Sequence, residues 1–272
     1  MKSMQGRLIG FAFAALAALA QLGAQAPSVR PDDARARIKE ITTRVEGLVG
    51  VRGADRTAAL EKAASDYEAV ATEFATDKSV VAQASWEAGE CWRRANKVDL
   101  AAEAYARVLA SGEDRFRQRA LFQRASMLRR TKQLEEAGKL YAEAGKIDPE
   151  SVRAHDARLW VARVLELRGD NDGAVSAYRG AVEAAVGARR VIEASDALAK
   201  SLVRKGDLDG AKAAIEHAEH EAADEVEAGG EEGERIKKSL DEMGSRGMLR
   251  RAVDKKTKAA GAAIDLENAR GR

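Results

Sequence analysis

The chain has 272 residues, of which 45% are hydrophobic, 33% are charged and only 4% are aromatic. Its single cysteine, Cys91, excludes an intramolecular disulfide and a zinc site built from cysteines. The formal charge of +2 comes from Lys2 and Arg7, and the rest of the chain carries 44 basic and 44 acidic residues. Such a balance gives no general attraction to nucleic acid or to anionic lipid. Abundant alanine, high charge and few prolines predict an all-α fold.

Residues 1–26 have the pattern of a secretory signal peptide. Lys2 and Arg7 give a positive start, and Leu8–Ala20 is an apolar run that is shorter than the roughly 20 residues of a membrane-spanning helix. Small residues then allow cleavage after Ala24 or Ala26. The alternative is an uncleaved anchor. No cysteine follows the run at the position of a lipoprotein acylation site, so we expect a secreted or periplasmic protein without a lipid anchor.

A short linker, residues 27–33, ends in Pro31-Asp32-Asp33, which favours the start of a helix. Residues 34–78 are predicted to form an N-terminal helix and a degenerate repeat. The N-terminal helix has one apolar stripe, made of Ile38, Ile41, Val45 and Leu48. This stripe either packs on the first repeat or forms a short oligomerising coiled coil.

One short pattern recurs along the chain: a small residue, a large residue four positions later, and a small or branched residue three positions after that. On a helix these three positions share a face. All four tyrosines of the chain occupy the large position. The copies are Ala63-Tyr67-Val70, Ala101-Tyr105-Val108, Ala137-Tyr141-Ala144, Ala174-Tyr178-Ala181 and Ala211-Ile215-Ala218.

The spacing of this pattern, 36 to 38 residues, indicates a tandem repeat of paired helices. A second small residue, Gly89, Ala125, Ala162 or Ala199, precedes each of the last four copies by twelve residues. Residues 79–218 are therefore predicted to hold helix pairs near 79–95 with 98–110, 114–131 with 133–146, 150–168 with 171–187, and 190–205 with 208–226. Short connections force the two helices of each pair to be antiparallel.

These residues resemble the tetratricopeptide repeat (TPR), a helix–turn–helix with an alanine-x3-aromatic core. The resemblance implies a right-handed α-solenoid of stacked antiparallel helix pairs, with terminal helices, that binds other proteins along its concave face. Tyr67, Phe74-Ala-Thr-Asp-Lys-Ser and Ala84-Ser-Trp-Glu-Ala-Gly-Glu-Cys-Trp are also similar to periplasmic relatives of the tol-pal coordinator and outer-membrane assembly families. That likeness covers about residues 60–150, and it implies a role in the cell envelope.

The sequence changes character after Ala218. Residues 219–233 are read as an acidic linker interrupted by Gly229, Gly230 and Gly233. Residues 234–272 are predicted to form capping helices, because the end of a solenoid needs a polar outer face. Part of this region, residues 244–272, is mainly basic.

Little in the sequence indicates an enzyme, and we expect no catalytic residue, metal or cofactor. His217 and His220 lie three apart and could face one metal ion, but no third ligand is placed by a recognisable spacing. His155 and Cys91 have no partners that would indicate chemistry. The simpler interpretation is that the first two histidines lie on a solvated helix face.

The candidate binding residues lie on the first helix of each repeat, which lines the inner groove of such solenoids. Guanidinium groups beside aromatic rings suit the carboxylates and carbonyls of a bound peptide. The expected groove residues are Trp86, Glu90, Arg93, Arg94, Arg119, Phe122, Arg129, Arg130, Arg163, Lys200 and Arg204, with Asp156, Glu166 and Asp196 among them.

Two other interpretations stay open for these residues. The arginines could instead pair with neighbouring carboxylates such as Glu87 and Glu90. Together with the basic tail, they could also bind nucleic acid or another anionic polymer, although the neutral charge of the mature chain argues against that function.

Overall fold

The computed structural model describes residues 31–270. Within that range the chain is helical and has no strand, and no helix is long and apolar enough to cross a membrane. The predicted signal peptide and most of the linker lie outside the described residues. The helices are α1 Pro31–Glu46, α2 Gly53–Glu73, α3 Lys78–Arg94, α4 Val98–Ala110, α5 Arg117–Arg130, α6 Leu134–Ala144, α7 Val152–Leu167, α8 Asn171–Glu183, α9 Ala188–Lys205, α10 Leu208–Ala228, α11 Gly230–Asp241 and α12 Gly244–Arg270, with a 3₁₀ turn at Asp114–Phe116.

The helices stack as successive antiparallel pairs. Each helix from α2 to α10 packs mainly on the helices before and after it in the chain. Contacts also join α1 to α3, α5 to α7 and α7 to α9, while the second helices α2, α4, α6, α8 and α10 make no contacts of comparable extent with one another. The first helices are therefore closer together than the second helices, so they form the concave side of an all-α solenoid.

The tyrosine pattern forms the core of this stack. Tyr67, Tyr105, Tyr141 and Tyr178 are at most 2% exposed. The alanines that open the pattern in the four complete repeats, Ala101, Ala137, Ala174 and Ala211, are 0% exposed. Small residues let the helices approach one another while each ring fills the adjoining space.

Each repeat turn contains one residue with a left-handed backbone. Gly169 has φ +83° and Gly206 has φ +87° in the last two turns. The equivalent residues of the first two turns are Asn96 and Lys132, with φ +61° and +65°. After each glycine an aspartate, Asp170 or Asp207, accepts a 2.9 Å hydrogen bond from a backbone N–H of the next helix and caps it.

The N-terminal apolar stripe packs on the repeats. Ile38 and Ile41 are buried, and Val45 and Leu48 are half-buried against the same cluster as Tyr67 and Tyr105. The stripe is thus part of the solenoid core, as the first of the two interpretations predicts.

The acidic segment 219–233 is not a linker. Residues 219–228 continue α10, and a break at Gly229 separates them from α11, which contains Gly233. A Cβ at Gly233 would lie 2.8 Å from the carbonyl oxygen of Glu225, so this glycine permits close packing of α11 on α10 and does not interrupt a helix. The acidic side chains are exposed on these helices. Helix propensity and the buried Ala222 and Ile236 explain why the segment is ordered.

Candidate functional site

In the first complete repeat, three of the four expected groove residues, Trp86, Glu90 and Arg93, contact other side chains of the solenoid. Glu90 accepts a 2.6 Å hydrogen bond from the Tyr105 hydroxyl and a 2.7 Å bond from Arg93. The Trp86 ring is half-buried, with its centroid 5.5 Å from that of Tyr105 and 5.9 Å from that of Phe116. Arg94 is exposed and lines a separate cavity beside the turn that joins α1 and α2.

The two aromatic residues expected in the groove, Trp86 and Phe122, are half-buried and not freely exposed. Like Trp86, Phe122 packs inward, with its ring edge-on to Tyr141 at a centroid distance of 5.2 Å. Arg153 lies over the Phe122 ring at 5.8 Å. Packing against the repeat tyrosines removes apolar ring surface from water, which explains why both rings are half-buried.

The arginines of α5 have different surroundings. Arg119 is exposed, and Arg130 is exposed and donates a hydrogen bond to Asn96 in the preceding turn. Arg129 is half-buried and lies over the ring of Trp160, with its guanidinium carbon 4.2 Å from the ring centroid. Its Nε is buried and makes no hydrogen bond within residues 31–270.

Trp160 is the centre of a cavity of about 650 Å³ on the concave face. Its ring stacks on Tyr141, with centroids 5.8 Å apart and planes 14° apart. The guanidinium carbon of Arg163 lies 5.0 Å from the centroid of the same ring. Six of the expected groove residues come together in this cavity, four of them basic: Arg129, Arg163, Glu166, Asp196, Lys200 and Arg204.

Ion pairs neutralise part of the charge in this cavity. Arg204 pairs with Glu166, and Lys200 pairs with Asp196. Glu193 lies 3.6 Å from the buried His155, whose imidazole holds the pKa of the Glu193 carboxyl below its usual range. Burial, together with the charge of Glu193, raises the pKa of Asp156.

Arg129 and Arg163 form no ion pair with a carboxylate in the part of the chain that the structure describes. The interpretation that the groove arginines pair with neighbouring acids therefore holds for Arg93, which pairs with Glu90, and for Arg204, which pairs with Glu166. It is wrong for Arg129 and Arg163. These two guanidinium groups, held against one indole ring, are the cavity cations without a direct ion pair, although the charge of Arg163 also acts on Glu193 and Asp156 at longer range.

The terminal helices close one end of the cavity. Asp196 accepts a 2.9 Å hydrogen bond from the backbone N–H of Ser245, in the first turn of α12. A Cβ at Gly244 would lie 2.9 Å from Cε of Lys200, so α12 starts in direct contact with the cavity wall. The concave site therefore ends at α9.

The sequence pattern missed Trp160 and Glu193. Trp86 and Phe122 lie at the same distance before the alanine that opens the pattern in their repeats. In α7 the buried Leu159 holds that position, and Trp160 is the residue after it. The only available signal was that Trp160 is one of three tryptophans in a chain with few aromatic residues.

The remaining candidates for chemistry lie apart from this cavity. His217 and His220 are exposed on α10, and no group of three or more potential ligands that could hold a metal ion occurs among the described residues. Burial raises the pKa of the Cys91 thiol to about 11, which keeps it protonated at neutral pH.

Comparison with known proteins shows the fold. No protein-family model matches the chain, and no curated protein matches it. A crystal structure of nearly identical TPR-like repeats of a kinesin light chain from Podosopora anserina is similar at TM-score 0.52 and 15% identity, over 72% of this chain and 98% of that one. A crystal structure of MamA is similar at TM-score 0.51 and 13% identity, over 70% of this chain and 94% of that one.

The chain therefore has the fold of a TPR solenoid, as the repeat pattern predicts. Its likeness to the tol-pal coordinator and outer-membrane assembly families stays a prediction. A shared fold does not identify a partner, which has to be argued from the residues of the site.

Proposed function

We propose that this protein is a non-catalytic scaffold that binds another protein through its concave face, at the cavity around Trp160. The observation that supports this proposal is that two guanidinium groups without a direct ion pair, Arg129 and Arg163, lie on one aromatic ring in a cavity of about 650 Å³. Arginine and tryptophan are the residue types that dominate binding energy at protein interfaces.

A stabilising role alone accounts poorly for this arrangement. Two cations held close together repel one another, and a guanidinium nitrogen without a hydrogen-bond partner carries a desolvation cost. A bound partner that supplies acceptors would remove both costs. The neighbouring cations Lys200 and Arg204 already have carboxylate partners, so they contribute less to binding.

We further propose that the protein acts outside the cytoplasm, secreted or in a periplasm, in the assembly or maintenance of the cell envelope. The support is the signal-like pattern of residues 1–26 and the likeness of residues 60–150 to envelope repeat proteins. Detection of the mature N-terminus by mass spectrometry of extracellular or periplasmic fractions tests the location.

Photo-cross-linking tests the binding face. A benzoylphenylalanine in place of Leu167, which is 59% exposed and lines the cavity, should form adducts with the partner in cells that make the protein. The matched position is Arg179, exposed on the second helix α8. Adducts at Arg179 in place of Leu167 would show that the convex face binds the partner.

A further inference from the structure

The two guanidinium groups over Trp160 set the chemistry of the ligand. Neither makes a direct ion pair within residues 31–270, and both line a cavity that already contains two complete ion pairs. A carboxylate matches the geometry of a guanidinium fork and forms the strong, charge-assisted type of hydrogen bond. Carboxylates of a ligand would therefore supply the direct partners that Arg129 and Arg163 do not have.

The spacing of the two cations limits how the carboxylates are arranged. The guanidinium carbons lie 4.2 Å and 5.0 Å from one ring centroid, so the distance between them cannot exceed the sum of those two values. In an extended peptide, side chains two residues apart lie on the same face about 7 Å from one another. Acidic residues at positions i and i+2 of an extended segment can therefore each reach one guanidinium.

The surroundings of the cations favour an acidic polypeptide over a nucleic acid. Glu166, Glu193 and Asp196 line the same cavity and would repel a continuous row of phosphates. Tyr141 stacks on the Trp160 ring and two guanidinium groups lie against it, so the ring offers little free face for a base. A peptide segment whose carboxylates are separated by other residues avoids the repulsion expected for a row of phosphates, and it needs no free face of the ring.

We propose that the cavity binds an extended acidic segment of the partner protein, in which two acidic residues separated by one residue contact Arg129 and Arg163. This inference rests on the proposed function and specifies the chemistry of the partner. It differs from capture of a chain terminus, because both contacts are made by side chains within the segment.

The test is fluorescence-polarisation titration of the full chain with a labelled peptide that has glutamate at every second position. The first control is the same peptide with glutamine at those positions. We expect the glutamate peptide to bind at least about tenfold more tightly, and its affinity to fall at least about tenfold in Arg129→Gln with Arg163→Gln. Arg168→Gln with Arg179→Gln removes the same charge from exposed positions outside the cavity and should leave binding within about twofold.

Three outcomes overturn the inference. One is equal binding of the two peptides, and another is no binding of the glutamate peptide up to about 1 mM. The third is tighter binding of a single-stranded oligonucleotide that is lost in the cavity variant, which would identify a nucleic-acid site. If the glutamate peptide fails while Leu167 still cross-links to a partner, the ligand chemistry is wrong and the proposed function stands. Circular dichroism of each variant verifies that the helices are intact.

Discussion

The four repeat tyrosines allow one substitution to be compared in four equivalent places. Each hydroxyl is directed toward the first helices, but the partners differ. Tyr105 donates to Glu90 at 2.6 Å, Tyr178 donates to Glu166 at 3.3 Å, and the Tyr67 hydroxyl lies 2.8 Å from Thr42 Oγ1. The Tyr141 hydroxyl is buried near Ser126 and Arg129, which oppose the rise of its pKa on burial, but it makes no hydrogen bond of good geometry within the described residues. Tyrosine to phenylalanine should therefore have different effects at the four positions.

The partners set the expected magnitudes. A hydrogen bond to a charged group contributes about 1.5–3 kcal/mol, and one between neutral groups contributes about 1 kcal/mol. Because Glu90 keeps its bond from Arg93, we expect Tyr105→Phe to cost about 1.5 kcal/mol, the lower end of that range. The longer bond of Tyr178 and the neutral bond of Tyr67 should each be worth about 1 kcal/mol. Tyr141→Phe removes a buried hydroxyl that makes no hydrogen bond of good geometry, so it should leave the free energy of unfolding unchanged or raise it by up to about 1 kcal/mol.

Urea unfolding followed by circular dichroism measures these differences. With a slope of about 3 kcal/mol/M, a loss of 1.5 kcal/mol lowers the midpoint by roughly 0.5 M. An unchanged slope for each variant verifies that the cooperativity of the solenoid is the same. If the Tyr141→Phe midpoint falls as far as that of Tyr105→Phe, the Tyr141 hydroxyl has a partner in solution and the assignment of its surroundings is wrong.

Two further predictions concern pH and the repeat turns. Burial raises the pKa of Tyr67 and of Tyr178 to about 12 from an ordinary value of 10.0, so the stability that these groups contribute is complete below pH 10 and is lost as the pH rises from 10 toward 12. Urea midpoints measured across that range should fall steeply, and Tyr67→Phe with Tyr178→Phe should make the fall shallower; an equally steep fall in this double variant would contradict the assignment. Lys132→Gly should raise the free energy of unfolding by about 0.5–1 kcal/mol, because Lys132 has φ +65° where the later repeats have glycine. Arg168→Gly, at a right-handed position, should give no such gain, and a loss at Lys132 would show that its backbone is unstrained.

The sequence predicted the repeat core because that core depends on a strict spacing. The tyrosines and the small residues four positions before them must share a helix face, and a shift of one residue would move a ring out of the interface. The same reasoning predicted the helix pairs and the polar turns. It failed at residues 219–233, where glycines were read as helix breaks although Gly233 packs closely against α10.

The candidate site was less accessible to sequence reasoning. Offsets from the repeat alanines brought Arg129, Arg163 and the other cavity cations onto the concave helices, but they did not indicate which cations are paired. That distinction depends on contacts between residues far apart in the chain, such as Glu166 with Arg204. The repeat pattern does not predict Trp160, because this residue lies one position away from the one that aligns with Trp86 and Phe122.

The central claim, that the concave cavity around Trp160 binds the partner, is tested most directly by the ratio of cross-linked adducts formed from Leu167 and from Arg179. We predict a discrete adduct of the same mass from Leu167 in repeated preparations, strongly reduced when Arg129 and Arg163 are both changed to glutamine, and none from Arg179. An adduct of equal or greater yield from Arg179, or one from Leu167 that is insensitive to those two arginines, would contradict the claim.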